Sequence, residues 1–116
     1  MTSHDQSANR GKVFFIGAGP GAPDLITVRG ADIIKAADCI IYAGSLVNVT
    51  LFEHCQAPLH ESSPLHLAEI VDLMVRTCED GGNVARVHTG DPSLYGAIKE
   101  QMLRLDESNI EWEIVP

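Results

Sequence analysis

Two glycine-rich loops contain the residues of this sequence that are best suited to binding a small molecule. The first is GAGPGAPDLIT, residues 17–27, and the second is HTGDPSLYGAIKEQ, residues 88–101. Glycine lets a ligand approach the main chain closely, and the first turn of a helix offers N–H groups without partners inside the helix. The pattern therefore indicates recognition of a ligand by backbone groups. For Asp91 and Pro92, helix capping is an alternative interpretation, since both residue types favour a helix start.

The first loop also has the spacing Gly-x-Gly-x-x-Ala, at Gly17, Gly19 and Ala22, which occurs in dinucleotide-binding turns. Two features count against a dinucleotide. Pro20 and Pro23 interrupt the turn where a helix should open, and no carboxylate ends the second strand to hold a ribose hydroxyl. A P-loop is excluded because the sequence has no Gly-Lys-Ser or Gly-Lys-Thr. A small nucleotide-binding domain is thus a weaker alternative, as is a tight turn without a ligand.

The apolar pattern predicts the strands and helices that position these loops. Runs that are apolar on both faces are typical of central parallel strands, whereas alternation is typical of a strand nearer an edge. We expect strands at 12–18, 39–43, 59–62, 84–89 and 110–115, and helices at 24–37, 45–55, 64–80 and 94–105. This alternation predicts an α/β fold: a doubly wound parallel sheet of about five strands with helices on both faces.

Both glycine-rich loops follow a predicted strand. In a parallel sheet the carboxyl ends of the strands lie at one edge, and ligands bind outside that edge. We therefore expect the two loops to contribute to a single site.

The most regular helix pattern covers residues 64–80, with apolar side chains three and four positions apart along one face. We expect Ser63 as its N-cap and Pro64 as its first helical residue. Gly81 and Gly82 are expected to end it.

Length and charge narrow the class of protein. The chain has 116 residues, which fits about one domain, and 45% hydrophobic residues, which is ordinary for a globular protein. A net charge of −8 argues against nucleic acid or an anionic membrane as partner, because both require a basic surface. No secretory signal and no apolar run of ~20 residues is found. We expect a cytoplasmic location, with residues 1–11 as a flexible tail.

The cysteines and histidines form no recognisable disulfide or metal pattern. The three cysteines are odd in number and widely spaced: Cys39, Cys55 and Cys78. Cys39 lies in an apolar run typical of a core. Cys55 and three histidines lack the tight spacing of zinc ligands and are expected in solvated loops; the histidines are His54, His60 and His66. His88, beside the second glycine-rich loop, is either a ligand contact or a structural histidine.

Three motifs occur together, in an order and at a spacing that resemble a known family. They are GAGPGAPDLITVRG at 17–30, ADCIIYAGSLV at 37–47 and HTGDPSLYGAIKEQ at 88–101. Over residues 12–116 the sequence resembles the tetrapyrrole (corrin/porphyrin) methyltransferases. Within that superfamily, YAGSLV and HTGDPSLYGAI are most similar to the precorrin-4 C11-methyltransferase branch, which acts in cobalamin biosynthesis. Agreement of three separate motifs is more specific than any one of them.

The resemblance implies S-adenosylmethionine as the methyl donor and a partly methylated corrin precursor as the acceptor. Carried over by position, the donor-binding residues are Gly19, Pro20, Gly21, Thr89, Gly90, Asp91, Pro92, Leu94, Tyr95 and Gly96. The residues implied to lie near the acceptor follow the second strand: Tyr42, Gly44, Ser45 and Leu46. No catalytic residue is assigned, since Ala43 stands where the related uroporphyrinogen methylases have an aspartate.

The resemblance also implies a polypeptide about twice as long, with a second domain that forms the other wall of the donor site. Residues 12–116 then correspond to the N-terminal α/β domain, and the C-terminal domain is absent from this chain. We expect the chain to be inactive by itself and to form homodimers, as the family does. The alternative is a non-catalytic binding or interaction module that retains this half of the fold.

Overall fold

The computed structural model describes residues 10–17, 26–43, 49–62, 64–88 and 95–115. Within these ranges, five strands form one sheet: β1 (Lys12–Gly17), β2 (Cys39–Tyr42), β3 (Leu59–Glu61), β4 (Val84–His88) and β5 (Glu111–Val115). Between them lie the helices α1 (Val28–Ala36), α2 (Leu67–Glu79) and α3 (Tyr95–Glu107), and a 3₁₀ helix at Val49–Phe52.

Every pair of neighbouring strands is parallel, and the strand order is β3-β2-β4-β1-β5. The inner strands β1, β2 and β4 are apolar on both faces because both faces are covered. Phe15 and Ile16, which point to opposite faces of β1, are both fully buried. β5 lies at an edge, as its alternating sequence predicts. The predicted five-stranded parallel sheet is confirmed.

Helices pack on both faces, so the sheet is doubly wound, as predicted. One core cluster lies under α2 and α3, and its buried members include Phe15, Cys39, Ile41, Met74, Met102 and Leu105. The second lies under α1 and the 3₁₀ helix, and includes Ile16, Ile34, Ile40, Phe52 and Val87. The core position predicted for Cys39 is confirmed. No helix in the described part of the chain is long and apolar enough to cross a membrane.

The start of α2 differs from the sequence prediction. The helix begins at Leu67, with His66 as its N-cap, so Pro64 lies in a turn before the helix rather than at its first position. Glu69 explains the later start, because its carboxylate accepts a hydrogen bond from the His66 N–H at 2.9 Å. The predicted cap Ser63 lies outside the described residues.

Two other predicted helices are shorter in the structure. α1 begins directly after Thr27, whose hydroxyl accepts a hydrogen bond from the Gly30 N–H at 3.1 Å. The described part of the predicted helix at 45–55 contains only the 3₁₀ helix and a turn. The predicted end of α2 is confirmed, because Gly81 adopts a φ of 90°, a conformation that favours glycine.

Candidate functional site

The two glycine-rich loops begin side by side at the carboxyl edge of the sheet. β1 ends at Gly17 and β4 ends at His88, and these two residues are register partners in neighbouring strands. Residues 18–25 follow the first, and residues 89–94 follow the second. Segments that are far apart in the sequence therefore start at adjacent positions.

β1 and β4 also form the switch point of the sheet. From β1 the chain passes through α1 to β2, on one side of the pair, and from β4 it passes through α3 to β5, on the other side. When the connections of neighbouring parallel strands diverge in this way, a crevice lies between the loops that follow them. Ligands of open α/β sheets bind in that crevice, so the topology selects the same two loops that the sequence selects.

The structure describes three of the predicted site residues. Tyr42 is the last residue of β2, and Tyr95 and Gly96 are the first two residues of α3, where the main chain is described. The other predicted positions lie outside the described residues: Gly19, Pro20, Gly21, Gly44, Ser45, Leu46, Thr89, Gly90, Asp91, Pro92 and Leu94. The donor and acceptor roles of all these residues stay predictions.

Tyr42 lies half-buried at the same edge as the two loops. Its ring packs against Phe52, with 5.4 Å between ring centroids, on the face of the sheet that α1 covers. Its carbonyl accepts a hydrogen bond from the Ser62 N–H at 2.9 Å. Ala43 follows it, so β2 does not end in the carboxylate that a dinucleotide site requires.

An ion pair fixes the start of α1, and with it the end of the first loop. Arg29 in the first turn of α1 bonds to Glu113 on β5, whose other carboxylate oxygen lies 3.3 Å from Lys12 Nζ. The hydrogen bond from Arg29, with further help from Lys12, holds the pKa of Glu113 below its ordinary value, although desolvation opposes the shift. These three charges therefore join α1, β1 and β5 at the sheet.

Sequence reasoning did not identify a buried arginine just below this edge. Arg86, the third residue of β4, is only 7% exposed, and its Nε donates a hydrogen bond to Oε1 of Gln101 on α3 at 3.2 Å. Burial lowers the pKa of Arg86 to about 10. The available signal was a cationic residue within the otherwise apolar start of the run VARVH at 84–88.

His88 lies two residues beyond Arg86 on the same face of β4 and is partly buried. Burial lowers its pKa, and the positive charge of Arg86 lowers it further. The imidazole at the start of the second loop is therefore biased toward its neutral form.

The described residues offer no activated nucleophile or metal cluster. Burial raises the pKa of Cys39, and it raises the pKa of Cys78 to about 11, so both stay protonated thiols in the core. Within the described ranges, no group of three or more His, Cys, Asp or Glu side chains is placed to hold a metal ion.

Comparison with known proteins agrees with this fold. The sequence profile of the Tetrapyrrole (Corrin/Porphyrin) Methylases matches residues 12–116. The chain belongs to this family.

Among curated relatives, the chain is 51% identical over 110 residues to cobalt-precorrin-4 C(11)-methyltransferase of Methanocaldococcus jannaschii, covering 93% of this chain and 42% of the relative. Among solved structures, it is similar to a cobalt precorrin-4 methyltransferase, a cobalamin biosynthetic enzyme, with a TM-score of 0.84 and 42% identity. That alignment covers all of this chain and 48% of the other. The chain thus spans less than half the length of these relatives.

A third similarity concerns a structure with a bound ligand. Uroporphyrin-III C-methyltransferase of Thermus thermophilus, solved in complex with S-adenosylhomocysteine, matches with a TM-score of 0.74 and 29% identity. The match covers 91% of this chain and 44% of the other.

Proposed function

We propose that this chain carries one wall of the active site of an S-adenosylmethionine-dependent methyltransferase. Its acceptor would be precorrin-4 or the cobalt form of precorrin-4, methylated at carbon 11 during cobalamin biosynthesis. The observation that carries the proposal is the pairing of Gly17 with His88 at the switch point, since it brings the starts of both glycine-rich loops to one crevice. The names of the similar proteins support the reaction, and the complex of the Thermus enzyme supports the donor.

Methyl transfer from a sulfonium to carbon suits such a site. An electron pair of the acceptor carbon forms the new carbon–methyl bond as the sulfur–methyl bond breaks. The electron pair of the broken bond neutralises the sulfonium, and the positive charge passes to the acceptor, which loses it with a proton. The methyl group is already activated, so the protein has to align the two reactants and exclude water. Alignment alone can lower the barrier by up to ~7–11 kcal/mol. A site of backbone groups, without an activated nucleophile, is therefore sufficient.

Two sets of residues have separate roles in this proposal. The loops after β1 and β4 bind the donor through main-chain groups at Gly19, Pro20, Gly21, Thr89, Gly90, Asp91, Pro92, Leu94, Tyr95 and Gly96. The segment after β2 contacts the acceptor through Tyr42, Gly44, Ser45 and Leu46. Tyr42 supports this division, because it is half-buried at the carboxyl edge, one strand away from the crevice.

The remaining parts of the proposal concern what lies around the chain. The relatives are more than twice as long, and we propose that sequence beyond this region supplies the other wall of the site and is needed for turnover. A homodimer and a cytoplasmic location complete the proposal.

Calorimetric titration with S-adenosylhomocysteine, the product, tests the donor site. We expect saturable binding that is weakened at least ~10-fold by Gly90→Val and by Pro20→Glu. The first change adds a side chain where a ligand should meet the backbone, and the second puts a longer, charged side chain at a position proposed to contact the donor. Pro58→Glu is the matched control. It makes the same substitution at an exposed proline that precedes β3, where the amino ends of the strands lie.

The titration is performed on the chain alone and on the chain extended to the length of its relatives. Binding only by the extended chain would show that both walls are needed. Binding by neither form, or tighter binding of NAD than of S-adenosylhomocysteine, would contradict the proposed function. Equal weakening by Pro58→Glu would show that the loss of affinity is not local to the loops.

A further inference from the structure

Arg86 is a buried cation whose hydrogen-bonding capacity is only partly used. Its Nε is bonded to Gln101, while Nη1 has less than 1 Å² of exposed surface and no hydrogen-bond partner within the described part of the chain. The ion pairs found among the described residues involve Arg10, Lys12, Arg29 and Arg76, but not Arg86. A buried guanidinium is normally paired with a carboxylate, because desolvation of an unpaired charge is strongly unfavourable.

Arg86 lies near the end of one of the two strands that form the switch point. It lies two residues before the end of β4, and its side chain is on the face covered by α3. Residues 89–94, the second glycine-rich loop, join β4 to α3. Arg86 therefore bridges the two elements that hold both ends of that loop.

The link to Gln101 gives the guanidinium a fixed orientation. Gln101 is 3% exposed and lies within α3, so the amide that holds Nε is itself held by packing. A planar guanidinium anchored through Nε presents its remaining N–H groups in a fixed fork, the geometry that a carboxylate accepts. Most buried side-chain donors have a hydrogen-bond partner, so Nη1, which has none among the described residues, is a position where a ligand oxygen can be accommodated.

We propose that Arg86 receives a carboxylate of the ligand that binds in the crevice. This rests on the proposed function, which supplies two ligands with carboxylates: the amino-acid end of S-adenosylmethionine and the acid side chains of the tetrapyrrole. Nη1 is covered in the structure, so the carboxylate would take the place of atoms that now cover it. Ligand binding would then complete the hydrogen bonding of Arg86 and tie the bound molecule to β4 and α3.

Three compounds, a matched pair and a single probe, distinguish the two sources of the carboxylate. The first pair is S-adenosylhomocysteine and its decarboxylated analogue, which lacks that one group. The second probe is uroporphyrin, a tetrapyrrole with carboxylate side chains. Binding is measured in the form of the protein that binds S-adenosylhomocysteine, with Arg86→Met as the test variant. The control is Arg104→Met, which removes an exposed arginine of α3 and changes the net charge equally.

If the donor carboxylate meets Arg86, Arg86→Met weakens S-adenosylhomocysteine ~10- to 100-fold and leaves the decarboxylated analogue unchanged. If an acceptor carboxylate meets it, uroporphyrin loses affinity by a similar factor and S-adenosylhomocysteine does not. Normal affinity for both probes in Arg86→Met would overturn the assignment of Arg86 while leaving the proposed function intact. Failure of the unsubstituted protein to bind either probe would overturn both.

A second variant separates binding from folding. Arg86→Met leaves the Gln101 amide without its partner, so Arg86→Met/Gln101→Leu replaces the buried polar pair as a unit. We expect this double variant to unfold at a similar or higher temperature than the parent, because an apolar pair often packs as well as a buried charge. It should show the same loss of affinity. A much lower unfolding temperature, with normal affinity for both probes in the folded protein, would assign Arg86 a structural role.

Discussion

The two edges of the sheet are built differently. At the amino edge, Asn83 connects three strands: its Oδ1 accepts from the Lys12 N–H at 2.9 Å, its carbonyl accepts from the Asp38 N–H at 2.9 Å, and its own N–H donates to Asp38 Oδ2 at 2.9 Å. The Gly11 N–H donates to the carbonyl of Cys78 at 2.9 Å. At the carboxyl edge, two glycine-rich loops begin together above the partly unsatisfied Arg86.

This difference predicts that the free energy of unfolding depends mainly on the amino ends of the strands, and ligand affinity mainly on their carboxyl ends. Satisfied polar groups and tight backbone contacts at the amino edge fix the relative positions of β1, β2 and β4. The carboxyl edge keeps a buried guanidinium whose Nη1 has no hydrogen-bond partner in the described part of the chain, a cost that a ligand would offset. Substitutions at the amino edge should therefore change the free energy of unfolding without changing affinity. Substitutions at the carboxyl edge should do the reverse.

The largest effect is expected from Gly11→Val at the amino edge. A Cβ atom at Gly11 would lie 1.6 Å from the carbonyl oxygen of Gly82, so the two backbones would have to separate. We expect the free energy of unfolding, measured in urea, to fall by about 3 kcal/mol. The folded fraction should bind S-adenosylhomocysteine with unchanged affinity.

Gln56→Val serves as the control for Gly11→Val, because it introduces a valine side chain at an exposed position that is also near the amino ends of the strands. It should leave stability within about 0.5 kcal/mol of the parent. If Gly11→Val folded normally but lost ligand affinity, the separation of the two edges would be wrong.

A smaller effect is expected from Asn83→Ala, which removes the side-chain acceptor of the partly buried Lys12 N–H. An amide left without a partner in such a place should lower the free energy of unfolding by about 1–2 kcal/mol. Asp38→Ala removes the acceptor of the exposed Asn83 N–H, which water can replace, so its effect should be smaller. Urea unfolding of both variants measures the difference, and the reverse order would contradict this account of the amino edge.

The sequence was sufficient to predict the sheet, because apolar runs covered on both faces differ in pattern from the alternating edge strand. It was less reliable at helix ends. Pro64 and Ser63 have strong helix-start propensities, yet α2 begins three residues later, where Glu69 can bond to the His66 N–H. A local propensity predicts that a helix starts nearby, but the competing side-chain hydrogen bond determines the residue at which the helix begins.

The sequence also predicts where the candidate site lies, because glycine-rich loops that follow parallel strands begin at one edge of the sheet; the donor and acceptor roles of their residues stay predictions. The sequence did not reveal that Gly17 and His88 are direct register partners, since register depends on the packing of the whole sheet. It did not reveal the burial of Arg86 or its hydrogen bond either. A lone arginine in a strand says nothing of its partners until the fold brings Gln101 and α3 against it.

Acid should weaken the contact at the start of α1. The pKa of Glu113 is lowered in the folded chain, so its stabilising contribution is present above the ordinary pKa of glutamate and is lost as pH falls through the lower folded value. Glu113→Gln should therefore lose less stability than the parent between about pH 5 and pH 3. Unfolding midpoints across that range provide the measurement, and Glu111→Gln on the same strand is the charge-matched control. An equal acid response in the parent and Glu113→Gln would contradict the ion pair.

The smallest predicted effect is a change in the pKa of His88, which is also the most direct probe of the carboxyl edge. Burial and the charge of Arg86 both lower that pKa, so Arg86→Met should raise it, while burial keeps it below the ordinary value. Arg104→Met should leave it unchanged. NMR titration of the imidazole measures these shifts.

A bound carboxylate on Arg86 should act in the same direction as Arg86→Met, because it neutralises the same charge. If the donor supplies that carboxylate, S-adenosylhomocysteine raises the pKa of His88 in the parent, and its decarboxylated analogue, which keeps the ammonium group, does not. If the acceptor supplies it, uroporphyrin raises the pKa instead. The pKa of His88 could also rise in Arg86→Met and yet respond to no ligand. That result would show that the charge of Arg86 acts on His88 but that Arg86 does not contact the bound molecule.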